Sequence, residues 1–241
     1  MARVIVKQPA RQKKPKQKAR LSREAVLAAA VAFADERGLE LLSMRKLAEL
    51  LGVEAMSLYN HVANKDDLLD AMVDTVIAEI ALPTIGSEWI GAMRARAASA
   101  HDMLLRHPWA SMLIVSRINT GPATLRYMDA TIGVLRSAGF SYAMADHAIS
   151  AIDSHIYGFT LLKSNFPVDE QEYASAAKQY LPMLPADTYP HARGLAEEVI
   201  SGRHSGVNEL SFGLDLILDG LARRLRDNPP AKGRARKSRG T

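Results

Sequence analysis

The chain has 241 residues, of which 48% are hydrophobic and 24% charged, with no cysteine. That balance fits one large globular domain or two modest ones, and it excludes disulfides, thiolate catalysis and cysteine-ligated zinc. No stretch approaches the ~20 apolar residues of a membrane span. The N-terminus offers only Val4-Ile5-Val6 as an apolar run, so neither a membrane association nor a signal peptide is expected and a cytoplasmic location is.

The net charge of +5 is unevenly placed. Residues 1–20 hold eight Lys/Arg and no acid, and residues 228–241 hold five and no acid, which leaves residues 21–227 at −8. Both tails are too polar to pack and read as disordered. A basic chain suggests nucleic acid, but the acidic body means that such a role must rest on placed residues.

Between the tails, apolar residues recur at i, i+3, i+4 and i+7, so the body reads as all-α. The first helix starts at the N-cap Ser22, buries Val26, Leu27, Ala30, Phe33 and Ala34, and stops at Gly38. A second starts at Ser43, carries Leu47, Leu50 and Leu51 on one side and stops at Gly52. A short third spans about Ala55–His61. Asn64 caps a fourth that buries Leu68, Leu69, Met72, Val73, Val76 and Ile80 before Pro83. Longer helices follow: Ser87 to about Arg106, Trp109–Arg117, Pro122–Ala138, Ser141–Phe166, Asp169–Leu181, Ala192–Ser201 and Glu209–Arg226. Pro182, Pro185 and Pro190 mark a loop. The domains expected are 21–82 and 87–227, flanked by the basic tails 1–20 and 228–241.

Residues 43–65 carry the sharpest signal. Two short helices around a Gly-centred turn form a helix-turn-helix. Ala48 is small where the helices must approach, and Val53, Leu58 and Val62 face the first helix. An outer face of Ala55, Met56, Ser57, Tyr59, Asn60 and His61 remains. Ala55 and Met56 suit thymine methyls, Ser57 and Asn60 suit bases or phosphates, and Tyr59 and His61 suit phosphate oxygens. Lys65 follows the Asn64 cap at a helix N-terminus, which attracts anions. Arg45 is placed for a guanine edge and Lys46 for a phosphate. Glu49 and Glu54 read as a solvated face.

With these motifs the chain resembles the tetracycline-repressor (TetR) family of bacterial transcription regulators. The resemblance rests on Leu21-Ser22-Arg23-Glu24, Arg45-Lys46-Leu47-Ala48, Leu51-Gly52-Val53, Ser57-Leu58-Tyr59-Asn60-His61-Val62 and Asn64-Lys65-Asp66-Asp67-Leu68-Leu69. Arg106-His107-Pro108-Trp109, Ala138-Gly139-Phe140-Ser141, Asp153 through Gly158-Phe159, and Phe212-Gly213-Leu214 through Leu221 extend it. It implies a homodimer on a palindromic operator in double-stranded DNA, with recognition helices about 34 Å apart, released when a small-molecule effector binds the larger domain. It puts Arg45, Ala55, Met56 and Ser57 toward bases and Lys46, Tyr59, His61 and Lys65 toward phosphates. Asn60 replaces the bulky aromatic of the tetracycline repressors. The helices at 141–166 and 209–226 correspond to the dimerising pair. The effector pocket it implies involves Trp109, Leu113, Arg117, Met128, Thr131, Ile149, Asp153 and Tyr157.

In the tetracycline repressors a histidine and a glutamate help hold a drug-bound magnesium ion. The matching stretches here, Met112-Leu113-Ile114-Val115 and Gly158-Phe159-Thr160-Leu161-Leu162, hold no metal-binding side chain. A metal-free organic effector is therefore expected, with no cofactor. The seven histidines form no dense ligand cluster. Nor is there a Gly-rich phosphate loop or a Gly-x-Ser-x-Gly, so an enzyme is not expected. The rival reading is an architectural or adaptor DNA-binding dimer without effector. A cavity of roughly 300 Å³ or more in residues 87–200 separates the two.

Overall fold

A computed structural model describes residues 21–227. The basic tails, expected to be disordered, lie outside the described residues. Among the described residues there are eleven α-helices, three short 3-10 turns and no strand. The first four are α1 (Arg23–Arg37), α2 (Met44–Leu51), α3 (Ala55–Leu58) and α4 (Lys65–Ile77). Then come α5 (Trp89–Arg106), α6 (Ala110–Ser116), α7 (Pro122–Ser137) and α8 (Tyr142–Asn165). The last are α9 (Tyr173–Tyr180), α10 (Pro190–Ile200) and α11 (Leu210–Asp227). No helix among them is long and apolar enough to cross a membrane.

The helix starts follow from side-chain caps. Ser22 accepts from Ala25 N, Ser43 from Lys46 N, Asn64 from Asp67 N and Ser141 from Met144 N, each satisfying an amide that the helix leaves free. Gly52 ends α2 in the left-handed region at φ 65°, ψ 37°, where a side chain would be strained.

Four sequence expectations are corrected. The cap of α5 is Glu88, whose carboxylate accepts from the Ile90 and Gly91 amides at 2.8 and 2.6 Å. Ser87 instead donates its hydroxyl to the Thr84 carbonyl. Glu88 wins because an anion is favoured at a helix N-terminus. Leu50 is 51% exposed. At 100° per residue the buried side of α2 runs through Leu47 and Ala48, and Leu50 turns outward. α10 begins at Pro190, a residue read as loop. The first helical position needs no amide hydrogen, so proline fits there. Finally, α3 is helical only to Leu58. The amides of His61 and Val62 both close on the Leu58 carbonyl, so Tyr59, Asn60 and His61 sit in a tight exit turn.

One hydrophobic cluster runs from Val26 to Leu221. α4 lies at its centre and packs on α1, α5, α6 and α7. Leu68, Met72, Val73 and Val76 are its fully buried side chains. The same helix therefore belongs to the N-terminal group and to the wall of the larger helical body. α8 packs on α5, α7 and α11.

Candidate nucleic-acid interface and ligand cavity

The helix-turn-helix is fixed from behind. Leu47, Ala48, Leu58 and Val62 are buried, α2 packs on both α1 and α3, and the Val53 amide bonds the Ala48 carbonyl across the turn at 3.0 Å. This leaves Met56 and Tyr59 exposed although both are large and apolar-bodied. Asn60, Arg45, Lys46 and Lys65 are also exposed, and Ala55, Ser57 and His61 are half-buried. All nine residues read as DNA-facing thus belong to one short stretch around α2, α3 and the start of α4.

Two features here escaped the sequence reading. Arg23, on α1, donates to the His61 carbonyl and to Asp67 Oδ1 at 3.2 Å. Asp67 Oδ2 in turn accepts from the Ala63 amide at 2.7 Å. The Arg23 hydrogen bond, then the Ala63 amide, hold the Asp67 carboxyl below the usual carboxylate range. This clamp sets the exit turn of α3 against α1 and α4. Its residues are 44 apart in sequence, so periodicity gave no sign of it. The second is that Glu49, read as a solvated residue, accepts from Arg45 Nε at 2.9 Å.

Behind the head, the larger body and α4 line a partly open cavity of about 360 Å³. Six of the eight residues expected to contact an effector line it: Arg117, Met128, Thr131, Ile149, Asp153 and Tyr157. Two do not. The Trp109 indole N–H donates to Asp35 Oδ1 of α1 at 2.6 Å, beside His107 Nδ1 at 2.8 Å, and so fixes the body to the first helix. Leu113 is buried in the general core. Arg96, Asn119 and Tyr127 also line the cavity, and the sequence reading missed them. Ile77 of α4 forms part of the wall.

The polar groups of this cavity are unusual. Arg96 is 1% exposed and pairs through Nη2 with Asp153 Oδ1 at 2.5 Å. Burial works against its charge, but Tyr127 and Asp153 outweigh it and raise the guanidinium above its ordinary value. Burial pushes the Tyr127 phenol up to about 12, against the pull of Arg96, and burial also raises Tyr157. Both phenols are therefore neutral donors at pH 7. Arg117 leaves the wall toward α4, where Nε donates to Asp70 Oδ1 at 2.6 Å and Nη2 to Asp66 Oδ1 at 3.1 Å. Among the described residues no group of three or more His, Asp or Glu is placed to hold a metal ion.

A helix-turn-helix with an open outer face, joined through one helix to a body with a partly open cavity, defines a ligand-responsive DNA-binding regulator of transcription. Comparison with known proteins gives the same class. Residues 26–72 match the model of bacterial regulatory proteins of the tetR family, and residues 82–225 match the tetracyclin repressor-like C-terminal domain. The chain belongs to the tetR family. An HTH-type transcriptional regulator of Saccharopolyspora erythraea is 36% identical over 185 residues, 76% of this chain and 78% of that protein. The HTH-type transcriptional repressor DrrR1 of Streptomyces coeruleorubidus is 32% identical, over 89% of this chain and 81% of its own length. The crystal structure of the TetR family protein ActR of Streptomyces coelicolor with actinorhodin superposes with a TM-score of 0.72 and 28% identity. It covers 86% of this chain and 99% of that one.

Proposed function

We propose that two copies of this chain repress transcription from a palindromic operator in the cytoplasm and leave it when a metal-free organic effector fills the cavity. In this reading residues 21–82 are the DNA-binding domain and residues 87–227 the effector-binding and dimerisation domain. Arg45, Ala55, Met56 and Ser57 face base edges. Lys46, Tyr59, His61 and Lys65 face the backbone, and Asn60 meets bases or phosphates. The effector contacts Arg117, Met128, Thr131, Ile149, Asp153 and Tyr157.

The observation that carries this reading is Arg117. It lines the cavity and is hydrogen-bonded to Asp66 and Asp70 on α4, the helix that begins where the reading head ends. A cavity so connected favours a sensor over an architectural protein. Repression is supported by the relative named as a repressor, and an organic effector by the neighbour solved with actinorhodin. Pairing of two copies through α8 and α11 is supported by an exposed apolar surface. Phe212 is 73% and Leu216 60% exposed on α11, with Leu162 72% exposed on α8. Gly158 and Gly220 have open space where a side chain would stand, which allows two helices to approach.

Selection of bound sequences from a random DNA pool tests the reading. The expected product is an inverted repeat with half-site centres about one helical turn, 10–10.5 bp, or a multiple of it apart. Recovery of a single unrepeated half-site, bound by one copy in sedimentation, would rule out the dimeric reading.

A further inference from the structure

We propose, resting on the cavity as the effector site, that Arg96 selects effectors presenting an uncharged oxygen acceptor, such as a ring ketone, on an otherwise apolar frame. Arg96 is among the largest fully buried side chains of the protein. A guanidinium carries five N–H donors. Only Nη2 has a hydrogen-bond partner, Asp153, while Nε and Nη1 are buried with none. Buried donors without partners are rare and costly, and in a cavity wall they point to a missing acceptor.

Arg96 belongs to that wall, and as the Tyr127 ring beside it shifts, an acceptor in the cavity reaches the guanidinium, which at rest has no surface open to it. Its Cζ lies 4.9 Å from the centre of the Tyr127 ring, and both Tyr127 and Asp153 line the cavity. Charge then narrows the acceptor. Asp153 already neutralises Arg96, and the two phenols stay protonated, so the cluster has no net charge to match an anion. A carboxylate placed on Arg96 would also face Asp153, a like charge in a low-dielectric site. A neutral carbonyl oxygen meets the free donors without that repulsion. Ile77, Ile114, Met128 and Ile149 supply the apolar surroundings. Elsewhere in the wall, Asn119 Oδ1 is buried with no donor. It suits a hydroxyl on the same molecule.

The test uses the full chain and three probes of one shape: fluorene, 9-fluorenone and 9-fluorenone-2-carboxylate, titrated by calorimetry. The expected result is that fluorenone binds about tenfold or more tighter than fluorene, the gain of one charge-assisted hydrogen bond. The carboxylate gains nothing further. Arg96→Lys keeps the charge but loses the planar fork. The double variant Arg96→Met/Asp153→Leu removes both buried charges and so avoids stranding Asp153. In each, the ratio of fluorenone to fluorene affinity falls to within about twofold. Equal affinity of the normal chain for fluorene and fluorenone, or a preference that survives both variants, overturns the role of Arg96 and leaves the cavity as a binding site. A tenfold preference for the carboxylate overturns the uncharged class. No binding of any probe overturns the inference together with the cavity reading.

Discussion

Arg117 Nε donates to Asp70 Oδ1 at 2.6 Å across the join between the cavity wall and α4. The contact is one of a row. Asp66, Asp70 and Asp74 stand four residues apart on α4 and therefore share a face. Asp66 and Asp70 hold Arg117, which follows α6. Asp74 Oδ1 accepts from the Thr124 amide at 2.8 Å and hydroxyl at 2.9 Å, and Oδ2 from the Ala123 amide at 3.2 Å. A side chain from α4 thus caps α7, whose own Gly121 has none to offer. A shift of either wall element pulls on α4, and α4 starts two residues after Ala63, which the Arg23–Asp67 clamp holds.

Arg117→Met should therefore act on coupling more than on stability. The Asp partners are largely exposed, so the ion pairs are worth about 1 kcal/mol or less, a fall of roughly 2–4 °C in Tm. Operator affinity without effector is expected to change several-fold, and a cavity-filling probe should lose most of its power to release DNA. Fluorescence anisotropy on a labelled operator, with and without probe, measures both. Normal affinity together with normal release would show that α4 is positioned by its apolar face alone.

Asp74→Ala removes the cap of α7 and leaves two amides without a partner. The expected cost is about 1–2 kcal/mol, read by denaturant unfolding. Asp74→Asn should recover much of it, since an amide oxygen still accepts. If Asn and Ala were equally damaging, the charge rather than the cap geometry would be what α7 needs.

Asp67 gives a pH signature. Its pKa is lowered by the Arg23 hydrogen bond and the Ala63 amide, so the folded state prefers the carboxylate. The resulting stability is complete above the unfolded pKa of about 3.9 and is lost as pH falls through the lower folded value. Normal chain and Asp67→Asn should therefore differ at pH 7 and draw together as pH falls below the unfolded value. Both groups are partly exposed, so the difference at pH 7 is about 1 kcal/mol or less. A gap that does not narrow as pH falls below about 3.9 would mean that the clamp does not depend on ionisation. Arg23→Ala is expected to weaken operator binding about tenfold, through misplacement of the exit turn.

The Arg45–Glu49 pair, 2.9 Å apart and solvent-facing, must open before Arg45 can reach a base. Breaking an exposed i,i+4 pair costs only about 0.3–0.5 kcal/mol. Glu49→Gln frees the guanidinium and removes a charge that repels phosphate, so operator affinity should rise a few-fold with base preference retained. Arg45→Ala should relax preference at one or two operator positions. Uniform weakening on all sequences would instead mark Arg45 as a backbone contact.

Local rules carried much of this structure into view. Ser22, Ser43, Asn64 and Ser141 cap helices because each has a small acceptor before an apolar-periodic run. Local rules also explain the misses. Ser87 and Glu88 are both acceptors at adjacent positions, and spacing alone cannot rank them. Arg96 was invisible because a charge within a helical pattern reads as solvent-facing, and only the fold brings Asp153 and Tyr127 to it. The resemblance places Trp109 at the effector pocket, whereas the buried indole lies outside the cavity lining and donates to Asp35, 74 residues away. Contacts of that separation are set by packing, which leaves no trace in local periodicity.

Charge supplies the last prediction. Residues 21–80, which include the reading head, carry five Lys/Arg against eleven Asp/Glu. Specific contacts there must come from a few cations, hydroxyls and amides, so the general attraction to DNA falls to the tails. Residues 1–20 alone hold eight cations. Each phosphate neutralised adds about 0.9 to the slope of log affinity against log salt. Deleting residues 1–20 should therefore lower affinity most at low salt, flatten the slope by several units and leave the preferred operator sequence unchanged. Tyr59→Ala with Lys65→Ala in the full chain should flatten it by only about one, because a single cation is lost. If the deletion kept the original slope, the N-terminal cations would be serving a partner other than DNA, and the acidic body would have to gather its phosphate contacts from the nine residues around α3.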